Sequence, residues 1–356
     1  MSLRRRFLTV LLILPAITLA SCSSSSSKSG SAGGSGSGGA VKLTGSGASF
    51  PYPLYDRWFG EYKKAHPSVS INYQGVGSGA GITQFTEKTV DFAASDAAMT
   101  PEEIAKVPEG VVLLPMTAGS IVITYNVPGA PDKLKLSREA YVGMFLGKIT
   151  NWNDPAIAKT NEGVKLPDLK VVPVYRADGS GTTFVFTQHL STVSAEWKAG
   201  PGTGKSVNWP APGSVGGKQN AGVAQTVTQT PGAVGYVELG YVKHAKLNVA
   251  ALENKDGSFV AAETKTSQAA LNSTPMTDNL IVWLPDPAGK DSYPITSYTW
   301  LLAYKTYKDP AKAKALKDVI RYGLTEGQKV SEEMGYVPFS DEVAQKILAH
   351  VDDIKP

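Results

Sequence analysis

From Val41 onward, short runs of β-branched and apolar residues alternate with stretches spaced for helices, the pattern of layered α/β structure. The clearest strands fall at residues 70–73, 111–114, 120–125 and 170–175, with two more at 233–237 and 298–304. Helix starts are legible too. Thr100-Pro101-Glu102-Glu103 reads as a capping box, with threonine at the cap, proline at the first helical position and glutamate three residues on. Ser137 opens a helix that ends near Gly147, and helices over 310–322 and 341–350 finish the chain. Residues 200–217, rich in Gly and Pro and without a period, read as a long surface loop. No stretch reads as a linker between two sequential domains, which suits a chain that crosses between domains more than once.

The first 40 residues follow a different pattern. Arg4, Arg5 and Arg6 precede an apolar run over 7–14, and small residues then lead to Cys22. A membrane span needs about 20 apolar residues, so the run fits a secretory signal over residues 1–21. Cys22 is the only cysteine, which rules out an intrachain disulfide. With Leu19-Ala20-Ser21 before it, Cys22 resembles the bacterial lipobox. That resemblance implies cleavage ahead of Cys22 and lipid on its sulfur. Residues 23–40 are almost all Ser, Gly and Ala, a flexible tether with a reach of about 23 Å.

A length of 356 residues points to two domains. The formal charge of +4 owes three units to the leader arginines. Without them the chain is near neutral, so charge makes no case for nucleic acid.

The chemistry sits at one kind of junction that occurs three times. Gly45-Ser46-Gly47-Ala48-Ser49-Phe50-Pro51, Gly75-Val76-Gly77-Ser78-Gly79-Ala80-Gly81 and Arg176-Ala177-Asp178-Gly179-Ser180-Gly181-Thr182-Thr183 each lead from a strand through a hydroxyl-bearing glycine turn into a helical pattern. Helix-start amides have no internal partner, and the helix dipole adds about half a positive charge there. Such turns lie beyond the carboxyl ends of strands, where open α/β sheets bind ligands. Helix capping by Ser49, Ser78, Ser180 and Thr182 is the plainer alternative. Arg176 offers a planar fork to an oxyanion, with Asp178 placed to orient it; an ordinary surface ion pair is the other reading.

Asp96 ends the stretch Val90-Asp91-Phe92-Ala93-Ala94-Ser95-Asp96. An ionised carboxylate only accepts hydrogen bonds, so beside an anion site it suits a ligand that still carries an O–H. Phosphate does at neutral pH, and sulfate does not. Capping of the turn before Thr100 is the alternative. Three helix starts, Arg176 and Asp96 together leave about +1.5, suited to a monoanion or dianion.

At these residues the chain resembles the phosphate-binding proteins of phosphate-specific ABC importers, from about Leu43 to the C-terminus. Supporting stretches are Leu146-Gly147-Lys148-Ile149-Thr150-Asn151-Trp152, Pro231-Gly232-Ala233-Val234-Gly235-Tyr236-Val237-Glu238 and Tyr293-Pro294-Ile295-Thr296-Ser297. The resemblance implies a type II periplasmic-binding-protein fold, two α/β lobes joined by a two-segment hinge around a central cleft. Lobe 1 would comprise 41–116 plus 296–356 and lobe 2 residues 117–295, with crossings near Met116-Thr117 and Ile295-Thr296. It further implies that Ser49, the Phe50 amide, Ser78, Asp96, Arg176, Ser180, the Gly181 amide and Thr182 hold inorganic phosphate, with Asp178 bracing the arginine. No cofactor or metal is implied. The partners implied are the importer's membrane permease and, through the lipid on Cys22, the membrane; the protein would be an exported, monomeric cell-envelope lipoprotein. Ser49 stands where the family often has threonine, and Tyr175 where a second arginine is common.

Competing readings have weaker support. Residues 75–80 fit a loose dinucleotide-binding fingerprint, with Asp96 about 20 residues beyond, but that leaves two turns and Arg176 unexplained. Residues 199–206 match a P-loop loosely, yet Val207-Asn208-Trp209-Pro210 cannot continue as a helix. An exported phosphatase would want a metal cluster or an activated nucleophile. His66, His189, His244 and His350 show no metal spacing and read as surface or cap residues. A sulfate or molybdate binder is the rival among binding proteins.

Overall fold

The computed structural model describes residues 40–356. The leader, Cys22 and all but the last residue of the tether lie outside them. In chain order come β1 (Val41–Gly47), α1 (Tyr52–Ala65), β2 (Val69–Gln74), α2 (Ser78–Thr86), β3 (Phe92–Ser95), α3 (Pro101–Ile104) and β4 (Val111–Tyr125). The middle of the chain adds β5 (Lys135–Leu136), α4 (Arg138–Leu146), α5 (Pro155–Ala158), β6 (Val172–Arg176), α6 (Gly181–Val193) and α7 (Ala195–Ala199). Next are β7 (Val215–Gly217), α8 (Gln219–Gln229), β8 (Ala233–Glu238) and α9 (Leu239–Ala245). The remainder is β9 (Asn248–Val249), β10 (Ala251–Glu253), β11 (Phe259–Val260), α10 (Thr264–Asn272), β12 (Thr296–Tyr304), α11 (Pro310–Leu324) and α12 (Asp341–Leu348).

The nine-stranded main sheet runs β2-β1-β3-β12-β4-β8-β6-β7, with β9 as a further partner of β4. Strands β1, β2 and β3 are parallel to one another, and so are β6, β7 and β8. β12 lies antiparallel to β3 and to β4, and β4 antiparallel to β8. The two parallel groups therefore point in opposite directions along β4. Ser95, the last residue of β3, pairs with Trp300, which faces Pro115 on β4. Glu238, the last residue of β8, pairs with Ile121. The carboxyl ends of both groups thus converge on the middle of β4 from opposite sides. This is the mixed α/β, two-sided architecture of the type II periplasmic-binding-protein fold, and it sets the binding ends of two sheets face to face.

β4 merges two expected strands. Residues 111–114 and 120–125 belong to one 15-residue strand, all but one of whose residues are buried. Its apolar residues point to both faces, so the buried environment outweighs Pro115 and Gly119, which weaken a strand. Proline has no N–H for the ladder, and the register slips where it sits. Thr299 pairs with Thr117 but Trp300 with Pro115, which leaves Met116 as the extra residue of a bulge.

The expected helix signals hold. Thr100 and Glu103 form both halves of a capping box. Ser137 accepts from Ala140 N at the start of α4, and left-handed Gly147 ends that helix. Two expectations need correcting. The loop over 200–217 closes in a short edge strand, β7, which pairs parallel with β6. His189 is fully buried, not a surface or cap residue. It sits between Tyr141 Oη at 2.8 Å and the Pro285 carbonyl at 2.7 Å. Burial, only partly offset by Pro285, lowers its pKa to about 4 and keeps the ring neutral.

Candidate functional site

The three hydroxyl-bearing turns meet in space. Gly77 N donates to Gly47 O at 2.8 Å, which ties the second turn to the first. Gly79 N donates to Gly179 O at 2.8 Å, which ties the second to the third. Gly77 has φ +104°, a conformation that side-chain-bearing residues rarely adopt. At Gly181 the close approach itself demands glycine. A Cβ there would lie 2.5 Å from Ser78 Oγ and 2.7 Å from Asp96 N.

Ser49 and Ser78 do not cap helices. The cap of α1 is Pro51, with no side-chain bond, and the cap of α2 is Gly77. Ser180 does cap α6, accepting from Thr183 N at 3.0 Å. Ser49 Oγ accepts from Asn220 N at 3.1 Å, and Ser78 Oγ from Asp96 N at 3.3 Å. All three serine oxygens therefore receive a backbone N–H, which leaves each hydroxyl proton free to donate. All three are buried, as is Thr182. Neither the Phe50 amide nor the Gly181 amide donates to another of the described residues. Three further contacts hold the turns from behind. Tyr241 Oη donates to Ser49 O at 2.5 Å, Tyr336 Oη to Phe50 O at 2.7 Å and Lys205 O accepts from Ser180 N at 2.8 Å.

Arg176 is 2% exposed, so the surface-pair reading fails. Its Nε reaches Asp178 Oδ1 at 2.8 Å and its Nη2 reaches Oδ2 at 2.5 Å, a bidentate fork. Asp178 Oδ1 also accepts from Gln219 N at 2.8 Å. Burial pushes the Asp178 carboxyl up, but the Arg176 hydrogen bond and charge, with Gln219 N–H, hold it below the usual carboxylate range. Nη1 of Arg176 is buried and has no partner among the described residues.

Asp96 is 1% exposed and does not cap the turn before Thr100. Its Oδ1 accepts from Thr299 Oγ1 at 2.8 Å and its Oδ2 from Thr182 Oγ1 at 3.1 Å. Burial raises its pKa from 3.8 to about 6, against the pull of Thr299, Arg176 and Thr182. The charge sum from sequence also changes. Asp178 lies within the site and cancels Arg176, leaving about +0.5, mostly from helix starts. Neutral donors, more than net charge, define the place.

The sequence reading brought together Ser49, Phe50, Ser78, Asp96, Arg176, Asp178, Ser180, Gly181 and Thr182, and the structure sets their turns together between the two strand groups. It missed Asn220, Thr299, Tyr241 and Tyr336. Their signal was absent because each meets the site from far along the chain. Beside the first turn opens a groove of about 500 Å³ lined by Tyr52, Tyr73, Gly75, Gln219 and Tyr241. Among the described residues no cluster of His, Cys, Asp or Glu has metal-binding geometry, and no helix is long and apolar enough to cross a membrane.

Known proteins resemble this chain in sequence and in fold. A family model described as the PBP superfamily domain matches residues 27–326. The chain is 42% identical over 313 residues to a phosphate-binding protein PstS of Pasteurella multocida, covering 87% of this chain and 90% of that one. It is 38% identical over 366 residues to a PstS of Methanocaldococcus jannaschii, covering 97% and 94%. Among solved structures, a high affinity periplasmic phosphate-binding protein (PfluDING) bound with phosphate superposes with a TM-score of 0.72 at 20% identity, covering 87% and 93%. A phosphate binding protein from Stenotrophomonas maltophilia gives 0.68 at 21%, covering 87% and 94%. At that identity the solved structures speak for the fold, and the sequence relatives for descent. The chain belongs to the PBP superfamily and, within it, to the family of the phosphate-binding proteins PstS.

Proposed function

We propose that this protein is an exported solute-binding protein that takes inorganic phosphate between two lobes and delivers it to the membrane permease of an ABC importer. The observation that carries the reading is Arg176 Nη1. It is a buried cationic N–H without an acceptor among the described residues. Leaving such a donor unmade costs about 1–3 kcal/mol or more, so the pocket is built around an anionic oxygen still to come. The hydroxyls of Ser49, Ser78 and Ser180 and the amides of Phe50 and Gly181 complete a shell of donors around a small tetrahedral anion, with Thr182 beside it, its one proton given to Asp96 Oδ2. Asp96 accepts the remaining phosphate O–H, and sulfate, which lacks one, meets a negative carboxylate with no proton to give it. A site that bonds a hydroxyl rejects analogues without it by about 10⁴ to 10⁵.

The lobes are residues 41–116 plus 296–356 and residues 117–295, hinged where β4 and β12 cross between them. The bulge at Met116 supports the first crossing. Lipid on Cys22 and the Ser/Gly-rich residues 23–40 hold the monomeric body at the membrane. The protein binds and does not turn over its ligand. The oxygens of Ser49, Ser78 and Ser180 accept N–H groups, and among the described residues no base bonds them. Calorimetry should give one site for phosphate and no heat with sulfate or molybdate. Tighter binding of either rival anion, or steady hydrolysis of a phosphate ester, would overturn the reading.

A further inference from the structure

Asn220 is the second residue of α8, fully buried, and 171 residues from Ser49 in sequence. Its carboxamide is held in one sense. Oδ1 accepts from Glu238 N at 3.1 Å, so the NH₂ end faces the first and third turns. Nδ2 donates to Ser49 Oγ at 3.0 Å and approaches Thr182 Oγ1 at 3.4 Å. The backbone N–H of the same residue also donates to Ser49 Oγ, at 3.1 Å. Gln219, just before it, has φ +61°, left-handed for a non-glycine residue, and gives its own N–H to Asp178. The start of α8 is thus held in a strained conformation, and it grips the brace of Arg176 and the first-turn serine with consecutive residues.

We infer that Asn220 is a positioning residue for anion selection: by filling both acceptor positions of Ser49 Oγ, it forces the Ser49 hydroxyl to act only as a donor to the ligand. A free serine hydroxyl can donate or accept, and can turn to solvent or a backbone carbonyl. With two N–H groups on its lone pairs, it has one role left. The same NH₂ biases Thr182 Oγ1 to donate toward Asp96 Oδ2, which agrees with the observed 3.1 Å bond. Two hydroxyls from different turns are so polarised by one side chain in the arrangement described. Because Asn220 and Ser49 lie on opposite sides of the cleft, the contact also favours the closed arrangement.

This inference rests on the phosphate reading, and the test separates the two. Phosphate affinity is measured by calorimetry for the purified wild-type protein, N220A, S49A and the double variant, with thermal unfolding run on each. Loss of one hydrogen bond to a charged group predicts about 10- to 100-fold weaker binding for N220A. In the S49A background the same change should cost less than about 3-fold, since the two act as one unit. N220D, of the same shape, serves if N220A unfolds. Its carboxylate would draw the Ser49 proton away and repel the anion, so it should bind at least as weakly. Wild-type binding with N220A and N220D both within about 2-fold of it overturns the inference and leaves the phosphate reading intact. Fully additive losses in the double variant overturn it too, by showing that Asn220 does not act through Ser49. A wild-type protein that binds no phosphate overturns both.

Discussion

The substitution Asp96→Asn isolates the cost of burying a carboxylate in the empty site. The pKa of Asp96 is raised from 3.8 to about 6, first by burial, with Thr299, Arg176 and Thr182 pulling the other way. A carboxyl with a raised folded pKa binds more protons folded than unfolded. Its stabilising effect is therefore complete below pH 3.8 and is lost as the pH rises through 6. At 1.36 kcal/mol per pH unit, the loss is on the order of 3 kcal/mol. The substituted carboxamide carries no charge at any pH and keeps an acceptor for Thr299, while the Thr182 hydroxyl can rotate to accept from the new NH₂. The variant should match the wild type near pH 4, up to a constant offset, and exceed it increasingly up to about pH 7. At neutral pH the gap should be on the order of 5 °C in Tm. The assay is thermal unfolding of both proteins across pH 4 to 8 in phosphate-free buffers. Other buried carboxyls titrate in both proteins and drop out of the difference, except Glu238, whose pKa the Asp96 charge helps to raise. A gap that stays flat across that range, or narrows as the pH rises, would refute the argument that burial governs this group.

Binding by the same variant should show the other side of Asp96, with the preference for phosphate over sulfate shrinking by at least about 100-fold in competition titrations. R176K should weaken phosphate by at least about 100-fold, because the single nitrogen of an ammonium cannot reproduce the planar fork that spans both Asp178 oxygens while a separate nitrogen faces the ligand; calorimetry reads this directly. G181A should lose most affinity in calorimetry, since its Cβ would lie 2.5 Å from Ser78 Oγ. Saturating phosphate should shrink the radius of gyration in small-angle scattering, as hinge closure requires; unchanged curves would speak against two moving lobes.

Local chemistry was legible without coordinates. The three strand–turn–helix junctions, the Thr100 capping box, the Ser137 and Gly147 boundaries and the Arg176–Asp178 pair all depend on residues a few positions apart, and short-range sterics and hydrogen bonding decide such features alone. What the chain could not reveal depends on contacts between distant segments. Asp96 meets Thr299 across 203 positions and Ser49 meets Asn220 across 171. Nothing in either neighbourhood marks those partners, because a buried Asn or Thr in a strand or helix looks like any other. Residues 111–125 broke into two strands on paper because Pro115 and Gly119 oppose β structure locally. Burial on both faces overrode them and left only a bulge. His189 read as superficial for the same reason, since its burial follows from where α6 packs. The donors were therefore written into the sequence, but the direction in which each hydroxyl points is set by partners that only the folded sheet order brings within about 3 Å of them.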